Sequence, residues 1–256
     1  MKLISLNCWC GRALEPLLTF VREASATTDI FCFQEVLMLH SGTCAATPDM
    51  CPDLYARLAG ELPGFQGFYV PMQAGYGPTR KSVCDISFGE AIFMRKGLAV
   101  GRYGDHFVYR ERNGLKEGER LNFMPRTVQF VEFVAHGTRY TVCNFHGLAT
   151  WPKDDTPERL SQSRLLAAFL ATINGAKVLC GDFNIAPDTE SIRIVGQGMY
   201  NLVQDSGVIT TRSTLSEFAY SEISDYIFVS PDVAIRSFEL PAVEVSDHLP
   251  LVLEFS

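Results

Sequence analysis

The stretch Lys177-Val178-Leu179-Cys180-Gly181-Asp182-Phe183-Asn184 decides how this chain is read. An apolar run ends on a carboxylate and, two residues later, a carboxamide. Near the C-terminus, Ser246-Asp247-His248-Leu249-Pro250-Leu251 again sets polar side chains against an apolar strand. An ionised Asp beside a buried strand is costly unless it is paired, hydrogen-bonded or bound to metal. Metal-assisted chemistry on an anionic substrate gives both sites a reason to exist.

Working outward, apolar runs predict core strands at Leu3–Cys8, Ile30–Phe33 (ending on Gln34-Glu35), 67–70, 90–94, 127–134, 140–145, 178–180, 226–229 and 251–255. Helical spacing of Leu14, Leu17, Leu18, Val21 and Ala24 predicts a helix over 14–24, with a shorter one around 54–62. Thr156-Pro157-Glu158 is a helix start: Thr as N-cap, Pro at the first helical position, Glu at the positive end of the dipole. That helix should run to about Ile173, bury Leu160, Leu165, Leu166, Phe169 and Leu170, and end before Gly175. Asp188-Thr189-Glu190-Ser191 reads as another cap. Strands adjacent in sequence alternate with strands separated by helices, which predicts mixed sheets with helices outside.

No linker, low-complexity run or internal repeat interrupts the 256 residues, so 1–256 read as one α/β (α+β) domain. A hydrophobic content of 47% suffices for its core. The N-terminal segment is too short and polar for a signal peptide's apolar region, and charges break every apolar run before ~18 residues. Of eight cysteines, Cys8, Cys32, Cys143 and Cys180 fall in core strands, while Cys44 and Cys51 flank a loop where they could bridge or bind metal. Free thiols are the preferred reading, and with them a cytoplasmic, soluble, monomeric protein. A formal charge of −7 gives no global field to draw in a polyanion, although one cleft can still be locally positive. The charged segment from Arg102 to Arg126 is expected to be a solvated loop.

Asn7, Glu35, His146, Asp182 with Asn184, Asp225, and Asp247 with His248 all sit where strands end. Gathered at one sheet edge, they would suit a hard divalent cation and a phosphate. In order along the chain, Leu6-Asn7, Gln34-Glu35, Asn144-Phe145-His146, Gly181-Asp182-Phe183-Asn184, Ser224-Asp225-Tyr226-Ile227 and Ser246-Asp247-His248-Leu249-Pro250-Leu251 resemble the signatures of the endonuclease/exonuclease/phosphatase superfamily, the DNase I-like fold. The resemblance covers essentially the full length. It implies a four-layer sandwich, two mixed β-sheets face to face with helices on the outer faces and the active site at one edge.

The same resemblance implies a Mg²⁺-dependent phosphoesterase, with Mn²⁺ a possible substitute. Glu35 would be the principal metal ligand, Asn7 and Asp247 contributing directly or through water. Asp182 would orient or deprotonate the attacking water, Asn184 would hold a phosphate oxygen, and Asp225 would orient a protonated His248. His146 would stabilise developing charge or assist the leaving group. Taken singly, Asp182 with Asn184 could merely cap a turn, and His146 could merely satisfy backbone groups. His40, His106 and His136 read as surface histidines. Arg126 lies either near a phosphate or in a surface salt bridge. Trp9 reads as core, whereas Trp151 is open between packing and stacking on substrate. Thr210-Thr211-Arg212-Ser213 is a loop that could contact substrate, although it carries no recognisable code. The expected substrate is a phosphate ester, nucleic acid or nucleotide. The alternatives are a sphingomyelinase-like or inositol-phosphate enzyme and, as the different class, a non-catalytic binding module.

Overall fold

The computed structural model describes residues 1–217 and 222–256. Two six-stranded mixed sheets lie face to face, as the resemblance implied. The first takes β1 (Lys2–Asn7), β2 (Ile30–Leu39), β3 (Phe65–Ala74), β4 (Ile86–Arg95), β11 (Ile235–Glu239) and β12 (Leu251–Phe255), in the order β11-β12-β1-β2-β4-β3. The second takes β5 (Ala99–Tyr109), β6 (Arg126–Ala135), β7 (Thr138–His146), β8 (Ala176–Asp182), β9 (Tyr200–Asn201) and β10 (Asp225–Val229), in the order β5-β6-β7-β8-β10-β9. The helices are α1 (Leu14–Ala24), α2 (Leu54–Glu61), α3 (Pro157–Ala171), α4 (Glu190–Val195) and α5 (Leu202–Asp205).

Both faces of the first sheet are apolar, and the two-residue period of a strand divides them. Ile4, Leu6, Phe31, Phe33, Ala91 and Phe93 point outward onto Leu17, Leu18 and Val21 of α1 and Leu54 and Leu58 of α2. Their neighbours Leu3, Ile30, Cys32, Ile92 and Met94 point inward and join the second sheet in one core. Leu166 and Leu170 of α3 close that core from the other side. Buried amides also cross between the sheets: Gln34 Nε2 donates to Asn144 Oδ1 at 2.6 Å, and Asn144 Nδ2 to the Phe33 carbonyl at 3.0 Å.

The expected caps form. Thr156 Oγ1 accepts from the Arg159 N–H at 3.2 Å, and Thr189 Oγ1 from the Ile192 N–H at 3.4 Å. Other expectations need correction. Leu165 is exposed, and α3 buries Arg159, Gln162 and Ser163 in its place, because this helix seals a loop rather than a purely apolar surface. The segment from Arg102 to Tyr109 belongs to edge strand β5, where salt bridges such as Arg102–Glu132 and Arg112–Asp105 solvate the edge. β2 does not stop at Glu35 but bulges there and runs on to Leu39. Cys44 and Cys84 form a disulfide, so these two are not free thiols, and the other six are. The pair is distant in sequence, which hid it, and it removes the argument from free thiols to a reducing compartment. Among the described residues no helix is long and apolar enough to cross a membrane.

Candidate active site

Strand register assembles the site. β7 and β8 run parallel with His146 opposite Asp182, and β8 and β10 run antiparallel with Asp182 opposite Asp225. Three titratable side chains thereby occupy one row on one face of the second sheet. From the first sheet, parallel β1 and β2 bring Asn7 level with Gln34, beside Glu35. The bulge interrupts the ladder at Gln34-Glu35, and Glu35 adopts φ +55°. A bulge of this kind turns a side chain out of the strand's alternation and aims it at the sheet edge. Asn184, also at positive φ (+55°), lies just past β8. Gly181 takes φ +140°, and a Cβ there would lie 1.9 Å from the Phe145 carbonyl oxygen, so only glycine lets β7 and β8 close at this point.

The residues singled out from the sequence meet. Asn7 Nδ2 donates to Glu35 Oε1 (3.2 Å) and Asp182 Oδ2 (3.1 Å), while its Oδ1 accepts the Trp9 N–H (2.9 Å). His248 Nδ1 lies 2.9 Å from both Asp225 oxygens, and its Nε2 is 3.6 Å from Asp182 Oδ2. Thr211 Oγ1 and Ser224 Oγ also donate to Asp225 Oδ2, so that carboxylate is fully engaged. His146 Nε2 stands 3.8 Å from Asp182 and 3.9 Å from Glu35, with neither ring nitrogen hydrogen-bonded. The Asn184 N–H donates to Asp182 Oδ1 at 2.8 Å.

Charge states follow from these contacts. Burial alone would raise the pKa of Asp182, but His248, Lys153, His146 and Arg212 together hold it far below the usual carboxylate range. Burial and then Asp247 push Glu35 upward. Burial followed by the Arg126 charge drives His146 well below its ordinary value, so it is a neutral imidazole. Burial and Arg212 oppose protonation of His248, yet Asp225, Asp247 and Asp182 outweigh them and raise it. The Arg212 Nη1 contact with His248 Nε2 would instead suit a neutral ring with a free lone pair. We favour the cation, because three carboxylates lie within 3.8 Å of the ring nitrogens.

The donor chemistry fits a hard divalent cation. Glu35 is a half-buried carboxylate, raised first by desolvation and then by Asp247, with the Asn7 amide and a long Cys10 thiol contact (3.4 Å) on its oxygens. Glu35 and Asp247 both line one cleft of about 320 Å³. Asn7 presents its N–H₂ to the carboxylates, because turning the amide would forfeit the Trp9 bond. In this orientation Asn7 holds Glu35 and Asp182 through its amide, and its Oδ1 keeps a second lone pair with which it could reach a cation directly or through water, the two expected routes. Asp182, Asp225 and His248 also offer ligand atoms within 4.8 Å of one another. In that trio the Asp225 oxygens and His248 Nδ1 already satisfy each other, and Mg²⁺ favours oxygen donors, so Glu35 with Asp247 is the better cradle.

Lys153 carried no functional reading from the sequence, and Arg212 only that of a loop that could contact substrate. Arg212 is buried, bridging Asp247 (3.1 Å) and Glu222 (2.9 Å). Lys153 pairs with Glu222 at 2.5 Å and faces the cleft. Both lie in loops without a motif, so only folding reveals them. Trp9 faces the cleft rather than the core, held by the Arg12 guanidinium 4.9 Å over its ring. Trp151 lines the same cleft and is 71% exposed. Arg126 is buried and makes no surface salt bridge. His40, His106 and His136 lie in exposed positions, as expected.

The sequence profile of the Endonuclease/Exonuclease/phosphatase family matches residues 4–248. A comparison with curated proteins returned no match. Among solved structures, an endonuclease/exonuclease/phosphatase from Bacteroides vulgatus superposes with a TM-score of 0.74 at 20% identity, covering 100% of this chain and 98% of its own. A mannosyl-6-phosphatase from Bacteroides thetaiotaomicron gives 0.72 at 17%, with 100% and 99% covered. The human Nocturnin catalytic domain with a bound sulfate anion gives 0.70 at 21%, with 100% and 93% covered. At these identities the likeness establishes the fold, and the profile establishes the lineage: the chain belongs to the endonuclease/exonuclease/phosphatase family, whose members hydrolyse phosphoesters.

Proposed function

We propose that residues 1–256 form one divalent-cation-dependent phosphoesterase domain that attacks phosphorus with water, and that its substrate is a small, nucleotide-like phosphodiester. The observation that carries the reading is Asp182 standing between the Asn7 amide and the Asp225–His248 pair at the floor of a cleft. The cleft's 320 Å³ matches a small ligand, and the formal charge of −7 disfavours a long duplex.

In this reading Asp182, ionised at any working pH, accepts a hydrogen bond from the attacking water. Its cationic neighbours keep it ionised, and its place between the Asn7 amide and His248 suits it to orient that water. Glu35 and Asp247 would hold Mg²⁺ or Mn²⁺, which when bound acidifies water and withdraws charge from the phosphoryl group. His248, kept cationic by Asp225, faces the phosphoryl oxygens, with Arg212 adding positive charge beside it. The Asn184 amide holds one oxygen. Neutral His146 donates a single N–H to the substrate, so it stabilises charge by hydrogen bonding rather than as a cation.

The test is turnover of bis-p-nitrophenyl phosphate, nucleotides, single- and double-stranded DNA, RNA, sphingomyelin, inositol phosphates and sugar phosphates, each with Mg²⁺ or EDTA. Hydrolysis that needs the cation and falls ~10²–10⁴-fold in Asp182→Asn and His248→Ala supports the reading. Wild-type activity in either variant, both folded cooperatively, would refute it.

A further inference from the structure

A second cavity, of about 170 Å³, shares Glu35, Pro78 and Ala149 with the cleft. Glu35, Asn122, Arg126, His146 and Met124 are among its walls. At ~30 Å³ per water it has room for roughly five waters, or for one tetrahedral anion. Arg126 is only 2% exposed, yet its Nε and Nη1 have no hydrogen-bond partner, and among the described residues it forms no ion pair within 4 Å. Both ring nitrogens of His146 are equally unpartnered and buried. An unpaired buried guanidinium is expensive, and here its charge and its fork of donors face an open cavity instead of a carboxylate.

The nearest acids do not discharge this cost. Glu35 belongs to the cation cradle, and buried Glu90 makes no hydrogen bond of its own. Burial raises the pKa of the Glu90 carboxyl although the Arg126 charge opposes it, and neither Glu90 oxygen hydrogen-bonds the guanidinium. An anion entering from the cleft would satisfy Arg126 with two parallel bonds, an arrangement suited to phosphate or carboxylate. His146, whose ring nitrogens have no hydrogen-bond partner, lines the same cavity and would reach the same group.

We infer that Arg126, with His146 and Asn122, forms an anion subsite that receives a second anionic group of the substrate, adjacent to the phosphoester being cleaved. This rests on the phosphoesterase reading above and deepens it: favoured substrates carry two anionic groups, as a nucleotide diester with a terminal phosphate does. A water-filled structural pair of Arg126 and Glu90 is the competing explanation.

The experiment compares p-nitrophenyl esters of thymidine 5′-phosphate with and without a 3′-phosphate, and of thymidine 3′-phosphate with and without a 5′-phosphate. The readout is the kcat/KM ratio within each pair. Wild type should favour the doubly anionic member of one pair by ~10–100-fold, the range of a charge-assisted bidentate contact, and Arg126→Gln should erase that preference. Arg126→Lys, which keeps the charge and loses the fork, should retain only part of it, and serves if the Gln variant does not fold. A purely structural Arg126 would lower both members alike and leave the ratio intact, which overturns the inference. So does a wild type without preference in either pair. If no ester turns over with either cation, the phosphoesterase reading fails instead. The subsite then stands or falls on calorimetric binding of inorganic phosphate, lost in Arg126→Gln if it is real and retained if it is not.

Discussion

Arg159 offers the sharpest test of how the cleft is held. Its guanidinium donates to the carbonyls of Leu148 (3.1 Å), Thr150 (2.6 Å), Pro152 (2.8 Å), Asp154 (2.7 Å) and Asn184 (2.6 Å). One side chain thus fastens the loop that carries Trp151 and Lys153 to the turn that carries Asn184. In Arg159→Met, the carbonyls of Thr150, Pro152 and Asp154 can find water, because their loop is largely exposed. Those of Leu148 and Asn184 are buried and lose their only side-chain donor. At about 1–3 kcal/mol for each buried acceptor left unsatisfied, the expected loss is about 4 kcal/mol, reduced somewhat because the charge no longer has to be desolvated. Urea unfolding measures it directly, and hydrogen exchange should show the amides of 148–154 opening before the sheets do. The Ala186 N–H, bonded to the Lys153 carbonyl at 2.9 Å, is a specific reporter. A stability change below about 1 kcal/mol, with unaltered exchange in this loop, would refute the reasoning.

Three further outcomes are expected. Gln34→Leu and Asn144→Leu should each strand the other's amide, so a double-mutant cycle should give a coupling of about 1–2 kcal/mol, and additive effects would deny that this bond ties the sheets. Asp155 accepts from the Glu190 and Ser191 N–H groups at the start of α4, and despite the opposing effect of its partial burial, Ser191 and these amides lower its pKa. Asp155→Ala should therefore cost about 1 kcal/mol at neutral pH, with the difference present above the unfolded pKa of ~3.9 and vanishing as pH falls through the lowered folded value; a gap that persists in acid would contradict this. Reducing Cys44–Cys84, separated by 40 residues, should lower stability by up to about 4 kcal/mol on chain-entropy grounds, and an unchanged urea midpoint under reductant would show that the pair contributes nothing.

Much of this protein is legible in one dimension because its core strands are fully buried. Runs such as Ile30–Phe33 and Val178–Cys180 are continuous apolar segments flanked by polar residues, and burial on both faces leaves no other reading. Thr156-Pro157-Glu158 marks a helix start through local chemistry alone, and Thr189 does the same for α4. The polar residues from Asn7 to His248 stand where apolar strands end, and it is their order along the chain, resembling the family's signatures, that makes them candidates. The edge strands β5 and β11 were not legible, being exposed and charged so that their sequences look like loops, whereas the more apolar edge strand β3 was.

What the chain's order of residues determined is therefore the identity of its layers and the roster of polar groups that had to meet. Only the tertiary structure decided how they meet. The bulge that turns Glu35 into the cleft leaves no local signature, and the pairing that sets Asp182 opposite both His146 and Asp225 depends on strands 36 and 43 residues apart. No local pattern tells Arg126, Arg159 and Arg212 apart, yet each is buried with a different set of neighbours. The physical reason is the same for all three. A guanidinium's role is fixed by which carbonyls, carboxylates or cavities surround it, and those come from distant segments that only folding brings together.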